Sequence, residues 1–129
     1  MIIGTHTILY SRNPDADRKF LSRVIGLPSV DQGGGWLIFA LPPSEVAVHP
    51  APRSGRQEFY LLCRKIEDFL QDMREQGVRC SRARRLSWGF LTYVNLPGGG
   101  KLGVYQPLHK RPRPVVRGTR ARTSRTGSK

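Results

Sequence analysis

The sequence predicts an α+β domain of two βαβββ modules. Their strands would form one curved, partly open mixed sheet around a central cavity, with the helices outside. Three observations predict it. Strand, helix and three strands follow one another over residues 3–50, and the same plan returns over 57–107. A glycine follows each predicted helix, and a Gly-rich turn joins two strands in each half. Recurrence of a unit of about fifty residues marks a repeated structural module. Each unit has one helix, enough to cover one sheet face. Normal strand twist curls the other face into a wall that side chains or a ligand must fill.

Thr5 to Ser11 alternates and is rich in β-branched and aromatic residues, so it predicts a strand with His6, Ile8 and Tyr10 on one face. Asn13-Pro14 is a helix-start signal, because Asn accepts a bond from a free N–H and Pro in the first turn loses none. Asp15 and Asp17 suit the positive end of the helix dipole. Phe20, Leu21, Val24 and Ile25 make one apolar stripe, and Gly26 with Pro28 ends the helix. Ser29 to Gln32 predicts a short edge strand. Gly33-Gly34-Gly35 predicts a turn and not a phosphate loop, for it has neither the lysine nor the strand-to-helix setting such a loop requires. Trp36 to Leu41 is a continuous apolar run, hence a buried strand. Glu45 to His49 alternates, with Glu45, Ala47 and His49 on one face.

After a Pro/Gly-rich connector at 50–56, the plan repeats. Glu58 to Cys63 predicts a strand. Ile66, Phe69, Leu70 and Met73 fall at helical spacing, and Gly77 stops that helix. Val78 to Arg82 predicts a short strand and Ser87 to Leu96 a long one. Pro97-Gly98-Gly99-Gly100 turns the chain, and Leu102 to Gln106 closes the domain.

The 129 residues are enough for one domain, assigned to 1–108. No apolar run approaches a membrane span and no signal peptide opens the chain, which predicts a cytoplasmic protein. Cys63 and Cys80 do not make a disulfide framework and are expected as small buried residues. Of the net charge of +13, eight units belong to residues 110–129, which hold eight basic residues and no acid. The segment 109–129 is therefore expected as a disordered basic tail, too poor in apolar residues to offset ordering entropy. It implies weak, salt-sensitive, non-specific contact with nucleic acid and nothing sequence-reading.

Tyr60, Trp88, Phe90 and Tyr105 are candidates to line a pocket for a flat or apolar ligand, and core packing is the better account of most such aromatic residues. Arg85, with Arg82 and Arg84 in the 81–86 loop, is a candidate to hold an anionic substrate; a solvated turn is the plainer reading.

The start HTILYSRNPDADRKFL followed by VIGLP, and the end LPGGGKLGVYQP, resemble the vicinal oxygen chelate superfamily, which includes glyoxalase I, bleomycin-resistance proteins, methylmalonyl-CoA epimerase and extradiol dioxygenases. The resemblance covers about residues 3–108. It implies metal ligands at four places, which fall here on His6, His49, Glu58 and Gly103. His6 matches in type, His49 and Glu58 stand where glyoxalase I has Glu and His, and Gly103 departs, having no side chain to offer. His6, His49 and Glu58 would form a competent first shell for Fe, Ni, Mn or Zn. Glu58 is also the catalytic candidate. Such an ion would be chelated by two vicinal oxygens of a small-molecule substrate, for lyase, isomerase or dioxygenase chemistry. The same resemblance implies a homodimer and supplies the alternative, a metal-free protein that sequesters a small molecule.

Overall fold

The computed structural model describes residues 6–45 and 47–113. In order come helix α1 (Pro14–Phe20), continued by a π-helical turn at Leu21–Ile25, strands β1 (Ser29–Asp31), β2 (Leu37–Phe39) and β3 (Tyr60–Leu62), helix α2 (Ile66–Glu75), and strands β4 (Arg84–Leu86), β5 (Gly89–Asn95) and β6 (Lys101–Pro107). The fold is α+β with two sheets. One is a hairpin of β1 and β2; the other has the order β3-β6-β5-β4. In the latter, β3 runs parallel to β6 and the remaining pairs are antiparallel, so the sheet is mixed. It stays open, without closing on itself.

The capping chemistry is local. The Asn13 side chain accepts from the Ala16 N–H at 3.2 Å, with Pro14 in the first turn. Gly26 leaves the helix in the left-handed conformation at φ 86°, which glycine adopts without steric cost. Lys65 precedes α2 without a side-chain cap, and the sheet supplies one: the Ile66 N–H donates to Gln106 Oε1 on β6 at 3.0 Å.

Both helices pack on one face of the four-stranded sheet. Phe20 joins Val94, Leu102 and Val104 in the core, with Leu21, Val24, Ile25, Leu61 and Phe69 against them. A second tie joins the helix of the first module to the sheet of the second. Asp17, 9% exposed, accepts the Gly98 N–H at 2.8 Å in the β5–β6 turn.

Five expectations are corrected. Residues 6–11 form no strand; His6 to Tyr10 are exposed, Tyr10 at 92%. Thr5 and Val46 lie outside the described residues, and Glu45 and 47–49 form no strand either. The run Trp36 to Leu41 is not buried, since Trp36 is 66% exposed under the Arg18 guanidinium, 5.3 Å above its ring. Val78 to Arg82 contributes one bridge, Cys80 to Val94, while the 81–86 segment read as a loop holds edge strand β4. Of the expected tail 109–129, residues 114–129 lie outside the described residues.

Candidate functional site

Strand register decides which side chains share a face. Tyr60 of β3, Gly103 of β6 and Tyr93 of β5 form one row across the sheet. The next row is Leu62, Tyr105 and Leu91. This face is opposite the Leu61, Val104, Thr92 face that receives the helices, because alternate residues point to opposite sides.

Tyr60, Trp88 and Tyr105 meet there. Trp88 and Tyr105 pack edge to face with ring centres 4.8 Å apart; Tyr60 lies 5.6 Å from Tyr105 and 6.0 Å from Trp88. Such tilted arrangements suit the aromatic quadrupole. Two glycines make room for the rings. A Cβ on Gly103 would lie 2.5 Å from Tyr60 Cδ1 and 3.3 Å from Tyr93 Cε1; one on Gly89 would lie 2.8 Å from Tyr105 Cδ1. The Tyr60 ring therefore fills the volume that a side chain at position 103 would need.

Polar groups rim the cluster. The Tyr60 hydroxyl donates to Glu58 Oε1 at 2.8 Å, and Glu58 Oε2 pairs with Arg56 at 3.0 Å. Burial pushes the Tyr60 phenol well above the usual range, and the bond to Glu58 and the neighbouring Tyr93 phenol push it further. Tyr105 is raised chiefly by burial, then by the Glu45 carboxylate, with Arg111 opposing. Its hydroxyl lies 3.0 Å from His109 Nε2, and His109 Nδ1 lies 2.8 Å from the Lys110 carbonyl. A carbonyl only accepts, so Nδ1 carries the proton, and in the neutral ring Nε2 accepts from Tyr105. Arg111 pairs with Glu45 at 2.8 Å. The chain leaving β6 is thus tied across this end of the face.

The other candidate residues fall elsewhere. Phe90 occupies the helix-facing side of β5, by the same parity that places Thr92 and Val94 there, and Arg85, its partner on β4, lies 5.6 Å over its ring. Neither faces Tyr60. His6 and His49 are exposed in irregular segments. Among the described residues, no group of three or more His, Cys, Asp or Glu side chains could hold a metal ion. His6, His49 and Glu58 do not converge, both Glu58 oxygens are engaged within the chain, and the fourth position is covered by a ring. In this arrangement the donor set does not fit a divalent ion. His109, Glu45 and Arg111 were not candidates from sequence; His109 and Arg111 follow the last strand in a stretch whose only visible signal was positive charge.

The same architecture occurs in solved structures. A lactoylglutathione lyase from Agrobacterium tumefaciens matches with a TM-score of 0.61 at 18% identity, covering 81% of this chain and 92% of that one. The fold is that of the vicinal oxygen chelate proteins. An antibiotic-binding protein from Streptomyces matches with a TM-score of 0.59 at 18% identity, over 83% of this chain and 98% of that one. A glyoxylase/bleomycin resistance protein/dioxygenase domain from Frankia matches with 0.57 at 13% identity, over 83% and 99%. No family model matches the sequence, and no curated protein matches it. In this chain the vicinal oxygen chelate fold has its helices packed on one face of the second sheet. It does not choose the reaction, since one scaffold hosts many.

Proposed function

We propose that this chain is a small-molecule binding protein that holds flat aromatic compounds on its tyrosine- and tryptophan-lined sheet face without a metal ion. The observation that carries the reading is the Tyr60 ring seated over Gly103, one of the four positions where the resemblance implies a metal ligand. Tyr60, Trp88 and Tyr105 offer ring faces and edges for stacking, and the Tyr60 and Tyr105 hydroxyl oxygens, whose protons go to Glu58 and His109, can accept from a donor on the ligand. The likeness to an antibiotic-binding protein supports it.

The test is thermal stabilisation by planar aromatic probes, anthraquinone and acridine dyes, with and without chelator. A probe at a hundred times its Kd adds about 2.7 kcal/mol of stability, and that gain should survive the chelator. Trp36→Phe leaves Trp88 as the only indole, so its fluorescence should change on binding.

The second reading is a glyoxalase- or dioxygenase-like metalloenzyme in which His6, His49 and Glu58 hold Fe, Ni, Mn or Zn; the likeness to lactoylglutathione lyase favours it. One metal ion per chain after chelator-free purification, lost on His6→Ala, would establish it and overturn the metal-free reading. We also propose a homodimer. Ile8, Tyr10, Val30, Trp36 and Val48 are all more than half exposed, an apolar burden better covered by a second copy. Sedimentation at micromolar concentration tests this, and a monomer there would refute it.

A further inference from the structure

Charge is segregated along this chain. All nine acids lie at or before Glu75, and residues 76–129 contain none. The strands β4, β5 and β6 are therefore built entirely from the acid-free half, while the acids nearest in sequence, Glu67, Asp68, Asp72 and Glu75, belong to α2.

Four arginines of that half gather at one sheet edge. Arg84 and Arg85 lie on β4, the outermost strand, and Arg79 and Arg82 lie on the segment leading to it; all four are exposed. Arg74, at the end of α2, and Arg82 both line a groove of about 350 Å³, together with Val78, Cys80 and Ala83. The ion pairs among the described residues join Arg18 to Asp15, Arg56 to Glu58 and Arg111 to Glu45, and involve none of these five arginines.

Edge protection does not account for this density. A strand of three residues is already short, and one charged side chain suffices to discourage pairing with another edge. The residue type is also telling. The chain has seventeen arginines and five lysines, and every basic residue of this patch is arginine. The guanidinium fork matches phosphate oxygens bidentately, where lysine acts as a point charge. The segment 78–88 contains no Asn or Gln, the side chains that read adenine.

We propose that the β4 edge and the groove beside it bind the phosphate backbone of nucleic acid without regard to sequence. The surface shares no residue with the Tyr60, Trp88 and Tyr105 cluster, although Arg84, the β4 partner of Leu91, borders that face, and it does not depend on the small-molecule reading. Basic residues 110–129 add long-range attraction, and the arginine edge supplies the seated contacts.

The experiment uses the full chain and fluorescence anisotropy with a labelled mixed-sequence duplex and a labelled oligo-dT, between about 50 and 200 mM salt. The triple variant Arg82→Gln, Arg84→Gln, Arg85→Gln should lower the slope of log affinity against log salt by about 2.7 on duplex, or about 2.1 on single strands. Over that fourfold salt range, its affinity then falls about 40-fold less than that of the unaltered chain on duplex. The corresponding triple lysine variant should keep the slope, and both should melt with the unaltered chain. Whichever strand form binds tighter identifies the source of the phosphates. Two results overturn the proposal: no binding of either probe at the lowest salt, or a glutamine variant whose slope is unchanged, which would leave the phosphates to residues 110–129 alone.

Discussion

Gly103→Ala tests the reading of the aromatic face most directly. The added Cβ would lie 2.5 Å from Tyr60 Cδ1, 2.7 Å from Cε1 and 3.3 Å from Tyr93 Cε1. The Tyr60 ring would have to give way by about an ångström, disturbing its packing against Trp88 and Tyr105. Overpacking of this kind costs about 1–3 kcal/mol. Against it stands the reduced entropy of the unfolded chain, about 0.4–1 kcal/mol in favour of alanine, since Gly103 is not among the glycines with positive φ. The net expectation is a loss of about 1–2 kcal/mol, read by urea unfolding with unchanged slope. Tyr60→Ala removes the obstacle, so in the double variant the alanine at 103 should cost nothing or stabilise. The coupling energy from the four-membered cycle should exceed about 1 kcal/mol. A Gly103→Ala variant as stable as the parent, with additive behaviour toward Tyr60→Ala, would refute the claim that the ring occupies this volume.

Other expectations follow from the same geometry. Because the folded-state pKa of Tyr60 is raised, the folded chain holds its proton longer than the unfolded one. Stability should be whole below about pH 10 and decline as pH rises above it, and Tyr60→Phe should flatten the decline in alkaline unfolding curves. Burial pushes the Cys63 thiol up to about 11, so at pH 8 only about one part in a thousand is thiolate and a disulfide reagent should modify it far more slowly than a free thiol. Asp17→Ala strips the partner from the Gly98 N–H and should cost about 1–3 kcal/mol in urea unfolding. Gly98→Ala should cost a similar amount, its methyl meeting the Ser11 hydroxyl and the Asp17 carboxylate.

The second module was legible in sequence because its signals were local or periodic. The Ile66, Phe69, Leu70, Met73 stripe fixed α2, and the glycine-marked turn fixed the β5–β6 hairpin. The first module was less so. Thr5 to Ser11 has the alternation of a strand, but alternation describes what a strand could bury and not whether a neighbour stands beside it to complete the ladder. The apolar run at Trp36 implied burial, yet a hairpin with only three paired residues per strand hides little of it. The arginines of β4 looked like a loop, because charge density masks a strand that sits at an edge, where charge is tolerated. At the site, Tyr60, Trp88 and Tyr105 were visible as types, and their grouping was not. Phe90 stands one residue out of phase with Tyr93 and Leu91, so a single step of register separates a wall residue from one beneath the helix. The contacts of His109 and Arg111 arise from how the chain leaves β6, which no periodicity encodes.

Position 103 and position 60 compete for one volume, and that constrains how such a domain can change. A carboxylate arriving at 103 in this background would meet a ring before it could meet an ion, and the chain would be destabilised for no chemical return. Moving between a metal centre and a stacking surface on this scaffold therefore takes paired substitutions, the ring withdrawing first. A single substitution at position 103 does not complete that change.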